Sequence, residues 1–306
     1  MIRKIILGLI ISSLTLFGFE YKLEPKKVSD NVWCFFGKLE KVTKENGGYM
    51  SNSCYVKTKN SYVVIDSGPT YNFAKEAYKV MSKIKKLPVK AVINTHDHDD
   101  HWLGNSFYKE TFDAQLIGVE LQDKNYKAGD KTRMFHLLSE DAIKGTKIVK
   151  LDKHIKKLTT LQFGGEKFIL VPIGTKAHTA EDIFIFMPKR KILFSGDLVM
   201  NGRITSNRDG SVIGSLKALE MINSYKWEIL IPGHGFDISK TATDEFVQYF
   251  TLLKKRVLKA VEEDVGASEV NNFVHLNEFK DKALFEELNK SNIFDAYREL
   301  EFYEEE

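Results

Sequence analysis

One turn of this chain, Thr95-His96-Asp97-His98-Asp99-Asp100-His101, sets three imidazoles and three carboxylates side by side directly after a β-rich run from Val89 to Thr95. An ordinary surface turn gains nothing from such crowding. A divalent cation does, because neutral imidazole and carboxylate are ligands that zinc and iron accept. Alternation puts His96 and His98 on one side, while Asp100 and His101 can reach a second ion. Such a cluster needs rigid backbone behind it. Short connections at the ends of sheet strands provide that, and they point to an α/β scaffold.

The same strand-then-polar-loop layout recurs downstream. Phe168 to Ile173 precedes Gly174-Thr175-Lys176-Ala177-His178. Ile183 to Met187 and Ile192 to Phe194 read as a hairpin about Pro188-Lys189-Arg190, ending at Ser195-Gly196-Asp197. Trp227 to Ile231 ends at Pro232-Gly233-His234. Candidate ligands therefore stand just past the ends of four separate strands. His178, Asp197 or His234 alone would be an unremarked loop residue; together, in this order, they complete a donor set that can serve two ions.

Upstream, Val28 to Phe36, Ser53 to Thr58 and Ser61 to Ile65 read as strands, the last ending at Asp66. Phe73, Ala77, Val80, Met81, Ile84 and Leu87 recur at helical spacing, which predicts an amphipathic helix over 72–86. Pro88 blocks its continuation. A second such helix is predicted from Thr241 to Glu263 and a further helical stretch from Glu278 to Glu301. Residues 120–160 are lysine-rich and read as an insertion beside the site, either a lid or a surface helix and loop. Groove walls are expected from Trp102, Met134, Phe135 and the loop Val199 to Ile213, with Arg203, Asn207 and Arg208; an arginine there would suit an anionic substrate. His136, His154 and His275 read as ordinary histidines.

Arg3 and Lys4 precede an apolar run from Ile5 to Leu16. A basic tip and roughly 7–15 apolar residues are the layout of a secretory signal. The run falls short of the about 20 residues that a membrane span needs. Residues 1–18 are thus expected to direct export, to the periplasm, with an uncleaved membrane tether as the alternative. In that setting Cys34 and Cys54, on neighbouring predicted strands, could join or stay as buried thiols. The net charge of +3, from 45 basic and 42 acidic residues, lacks the concentrated basic face of a nucleic-acid partner. A small-molecule substrate is expected instead.

The pattern His96-x-His98-x-Asp100-His101, followed by His178, Asp197 and His234, resembles the metallo-β-lactamase superfamily, including its glyoxalase II-like members, from Val28 to Gly235. The resemblance implies an α/β fold, a four-layer αβ/βα sandwich over 24–240, with 241–306 as a helical extension packed on it. It implies that one ion takes His96, His98 and His178, that the other takes Asp100, His101 and His234, and that Asp197 bridges them. Asp66, after Val63-Val64-Ile65, matches the family's first motif and is expected to support the ligands from outside; Asp97 is a second candidate for that task. Lactamases with a cysteine ligand carry it where this chain has Asp197. Flavodiiron-type relatives have glutamate where this chain has His98. The exported N-terminus and the stretch Asn292 to Glu301 are similar to an exported subgroup linked to sulfur-oxidation and quinoprotein systems.

The implied chemistry is hydrolysis of an ester, thioester, lactone or amide-like bond at two Zn2+ ions, with iron or manganese as other metals, and with Asp100 and Asp197 as the catalytic carboxylates. The alternatives are a mononuclear-iron enzyme resembling persulfide dioxygenases, a β-lactamase, and a periplasmic metal-binding accessory protein without turnover.

Overall fold

Most strands of this chain carry apolar side chains at successive positions, so both of their faces must be covered. The computed structural model, which describes residues 18–304, covers both. A seven-stranded sheet runs in sequence order through β1 (Lys26–Ser29), β2 (Val32–Phe35), β3 (Ser53–Lys57), β4 (Tyr62–Ile65), β5 (Val89–Ile93), β6 (Gln115–Gly118) and β7 (Lys153–His154). A five-stranded sheet has the order β12 (Ile229–His234), β11 (Ile192–Met200), β10 (Ile183–Met187), β9 (Glu166–Pro172) and β8 (Thr159–Phe163). Pairing is antiparallel except along β4-β5-β6-β7 and between β11 and β12.

Period-two alternation sorts the side chains into layers. Val63, Ile65, Ala91 and Ile93 meet Ile183, Ile185, Ile192 and Phe194 between the sheets. Tyr62, Val64 and Val92 point the other way, onto Phe73, Ala77 and Met81 of α1 (Tyr71–Ile84). The helices that follow in the chain are α2 (Asp99–Trp102), α3 (Asn105–Phe112), α4 (Glu120–Asn125), α5 (Met134–Leu137), α6 (Glu140–Ile143) and α7 (Val212–Ser224). The last three are α8 (Asp244–Glu262), α9 (Val270–Phe273) and α10 (Phe285–Leu300). Phe184, Phe186, Leu193 and Leu230 of the second sheet pack on α7, α8 and α10. Helix, sheet, sheet and helix make four layers, as expected.

Several boundaries differ from expectation. Val28 to Phe36 is a hairpin, because Asn31 takes a left-handed turn with φ 63°. Helix α1 stops at Ile84, and Lys85 is already extended three residues before Pro88. β11 continues through Asp197 to Met200 and β12 includes His234, so these two ligand candidates sit within irregular strand ends rather than beyond them. The strand expected at Phe168 to Ile173 is β9, but its hairpin partner β8 and helix α7 lie in segments for which no strand or helix was predicted. The last helix begins only at Phe285, after Leu284 breaks the chain direction with φ 64°. Residues 120–160 supply α4 to α6 and β7; Met134, Leu138 and Ala142 pack with Met50 and Trp102, so this segment is a packed wall.

The N-terminal leader lies, apart from Gly18, outside the described residues. From there on the chain is anchored: the N–H groups of Tyr21 and Leu23 donate to the Glu76 carboxylate at 2.9 and 2.8 Å. No helix of the described residues is long and apolar enough to cross a membrane.

Cys34 and Cys54 face each other across β2 and β3 and form a buried disulfide. It closes a loop 20 residues apart in sequence. By the chain-entropy argument, replacing both with serine should cost about 3 kcal/mol. Urea denaturation of the double variant against the parent checks this.

Candidate metal centre

The two sheets meet the site at one edge, and four separate pieces of backbone deliver its seven ligand candidates. His96 follows β5, and His98, Asp100 and His101 wrap the first turn of α2. His178 lies between β9 and β10, Asp197 on β11 and His234 at the end of β12. Two glycines permit the approach. A side-chain carbon at Gly233 would stand 1.9 Å from the Asp197 carboxylate. Gly196 has φ 52°, and a side chain there would strike Thr95 at 2.5 Å.

All seven residues converge. One ligand atom each from His96, His98, His178 and Asp197 lies within 4.8 Å of the others, and the same limit holds among Asp100, His101 and His234. Asp197 touches both sets: its oxygens are 3.2 Å from His178 Nε2, 3.1 Å from His101 Nε2 and 3.3 Å from His234 Nε2. Asp100 Oδ2 is 3.4 Å from His234 Nε2.

The outer hydrogen bonds decide which nitrogen each ring offers. His101 Nδ1 donates to Asp66 Oδ2 at 2.9 Å. Asp66 also accepts from the Thr95 N–H and from the Thr95 hydroxyl, each at 2.9 Å. Since that hydroxyl is spent on Asp66, His96 Nδ1, 3.0 Å from Thr95 Oγ1, must be the donor there. His234 Nδ1 donates to the Met50 carbonyl at 2.8 Å. Each of these three rings is left presenting a bare Nε2 inward. His98 is turned round: Nε2 meets the Asp209 carboxylate at 3.2 Å, while Nδ1 faces His178 Nε2 at 3.0 Å.

Three of the inward atoms have no hydrogen-bond partner in the protein. His96 Nε2, His101 Nε2 and Asp197 Oδ1 are buried and make no hydrogen bond. Leaving such groups unsatisfied costs about 1–3 kcal/mol each, and more where charge is involved. Divalent cations fit this donor set of five imidazoles and two carboxylates, with lone pairs aimed at common points.

Charge tells the same story. Burial disfavours a charged His96, and its neighbour His101 adds to this, so its pKa is well below the usual value. Burial also opposes charge on His101, but Asp197, Asp100 and Asp66 outweigh it and raise that pKa well above normal. Despite burial, Asp197 is held well below the ordinary carboxylate range by His234, His101, His96 and His178. Asp100, against its own burial, is drawn down to about 2 by His101, His234 and Arg133. The centre therefore attracts positive charge, and cations would displace protons from it.

Some expectations are corrected. Asp97 does not support a ligand ring: its carboxylate accepts from Asn125 Nδ2 at 2.6 Å. Trp102 and Met134 are fully buried beneath the site, with Phe135 packed against them, and are not groove walls. Asn207 is buried, and its N–H donates to Asn292. Arg203 and Arg208 do line the groove, a cavity of about 210 Å3. Three features were missed. Arg133 reaches Asp99 at 2.8 Å and Asp100 at 3.3 Å from the segment 120–160. Asp209 holds His98. Glu40, Lys41, Val42 and Met50 come from the loop between β2 and β3. None lies in a motif; the turn-forming residues Asn46-Gly47-Gly48 are the one local signal that could have marked this loop as structured.

Residues 46–234 match the family described as the metallo-beta-lactamase superfamily. Metallo-beta-lactamase IND-1 of Chryseobacterium indologenes is 31% identical over 195 residues, which are 61% of this chain and 72% of that protein. A hydroxyacylglutathione hydrolase of Brucella ovis is 26% identical over 48% of this chain and 49% of its own length. Among solved structures, a metallo-beta-lactamase from Pontibacter korlensis superposes with a TM-score of 0.60 at 22% identity, covering 75% of this chain and 99% of its own.

Asp66 makes three hydrogen bonds to the turn that bears the ligands, so Asp66→Asn should keep the fold yet lower metal affinity by about 10–100-fold. Competition against a chromophoric chelator measures this.

Proposed function

The chain belongs to the metallo-β-lactamase superfamily, and on that premise we propose that it is a hydrolase that uses two zinc ions to cleave an ester, thioester, lactone or amide-like bond of a small substrate. The observation that carries this reading is the pair of buried donor sets sharing Asp197, with inward atoms that no protein group satisfies. Divalent cations bound there would make hydroxide available at neutral pH, because they lower the pKa of water from about 15.7 to near 7, and would act as Lewis acids.

The protein's own part is positioning. Asp197, within reach of His178, His101 and His234, ties the two sets together and holds their spacing. Asp100, ionised at neutral pH and steadied by Arg133, can accept a proton-bearing oxygen and fix its direction. Asp66, Thr95 and Met50 keep three imidazoles in the tautomer that leaves Nε2 free. The groove above is open to a small molecule and has a cationic side, Arg203 and Arg208, and an apolar side.

Two complete sets favour a dinuclear site over a mononuclear iron enzyme, and an intact set of donors favours turnover over an accessory role. The buried Cys34–Cys54 disulfide supports work in an oxidising compartment such as the periplasm.

The test is a panel of thioester, lactone and β-lactam substrates on zinc-loaded protein. Hydrolysis of at least one is expected; inactivity towards every bond class would overturn the proposal. In Asp197→Ala, bound metal should fall from two ions towards one per chain. Turnover should drop by more than the 10–100-fold typical of losing an outer partner. Elemental analysis alongside kinetics reads both, and full activity with two ions retained would refute the bridging role.

A further inference from the structure

The matched family region ends at His234, yet a later segment reaches the groove. Leu284 and Leu288, at the start of α10, line it together with Val42 and Met200. Leu284 is held at φ 64°, a conformation that a leucine rarely takes. Such strain persists only where surrounding structure enforces it. Here a parallel bridge pairs Arg203 with Ala283: the Ala283 N–H donates to Gly202 O at 3.2 Å, and the Ile204 N–H to Ala283 O at 2.9 Å. Buried Asn292 of α10 extends the tie, donating to Thr205 O at 2.7 Å and accepting from the Asn207 N–H at 2.9 Å. One segment of the extension thus sets both the apolar wall and the loop that carries Arg203.

Arg203 differs from the other groove arginines. Arg133 is paired with Asp99 and Asp100, and Arg208 with Asp209. Among the described residues no carboxylate forms an ion pair with Arg203. Its Nε donates to the Ile204 carbonyl at 3.2 Å. Its Nη1 lies 3.2 Å from His234 Nδ1, but that nitrogen carries the proton given to Met50 O and cannot accept. The guanidinium fork therefore keeps unspent donors beside the metal ligands, a match for a carboxylate.

We propose that the C-terminal extension is the specificity element of the groove: Leu284 and Leu288 seat an aliphatic part of the substrate, and Arg203, fixed by the same segment, binds a carboxylate on it. This rests on the hydrolase reading for the word substrate, but the subsite itself is a property of the folded chain. The class it selects is a small amphiphilic acid derivative, with the scissile bond over the metal ligands and its charged group towards Arg203.

Calorimetry on the zinc-loaded full chain tests this with acetate, hexanoate, octanoate and hexanamide. Affinity should rise by about tenfold or more from acetate to octanoate, since even one methylene in a hydrophobic pocket is worth about tenfold. Leu288→Ala and Leu284→Asn should flatten that rise, asparagine being tolerant of the left-handed backbone. Arg203→Gln should remove the advantage of hexanoate over hexanamide. Circular dichroism and zinc content establish that each variant is folded; if Leu284→Asn is not, the half-buried Leu288→Ala alone decides. Equal affinity for acetate and octanoate, or an undiminished rise in the folded leucine variants, overturns the proposal. Because binding is read, a chain that hydrolyses nothing but shows the preference loses only the hydrolase reading. One that hydrolyses esters with no such preference loses only the specificity element.

Discussion

A carboxylate buried among imidazoles whose lone pairs all point inward is a demand for positive charge, and the rest of this structure is organised around that demand. Asp197 cannot be ionised in the interior without compensation, since burying an unpaired charge costs several kcal/mol. In the protein alone the compensation is protons on neighbouring rings, His101 above all. With cations present it is coordination. Either way, the ligand cluster is stable only if the backbone that presents it cannot relax away.

That rigidity comes from spending the second hydrogen-bonding atom of four of the five rings on the scaffold. Asp66 sits at the end of β4 with φ 53°, a left-handed turn that aspartate tolerates better than most residues. From there its two oxygens hold both Thr95 and His101. Asn52 ties the loop between β2 and β3 to β12, donating to Pro232 O and Gly235 O, so Met50 is in place to hold His234. His96, His101 and His234 are thus fixed from behind by groups of the first sheet, although His234 itself belongs to the second.

Much of the site is legible in the sequence itself. His96, His98, Asp100 and His101 are close in sequence, and local geometry alone brings them together. His178, Asp197 and His234 were legible through their repeated placement at strand ends, although two of them lie inside the strands. What escaped were residues with ordinary local context. Asp209 and Arg133 are a charged loop residue and one arginine in a lysine-rich segment. Their roles exist only because the chain returns to the same edge of the sheets. Trp102 was misplaced for the converse reason: adjacency to a ligand put it near the site, but helix α2 turns it into the core, where its Nε1 donates to Asp97 O.

The fold shows the same division. Alternating apolar runs, Pro88 and the helical spacing of 72–86 and 241–263 determined the sheet and helix content, because burial periodicity is a local property of the chain. The donor set determined that cations belong here, because no other partner suits so many buried lone pairs. Only the tertiary structure decided that His98 turns its Nδ1 inward, that Asp97 is spent on Asn125, and that the far C-terminal segment bridges to Arg203 and walls the groove. Each of these is a contact between positions distant in sequence, settled by how the layers pack, and no local pattern encodes such a choice.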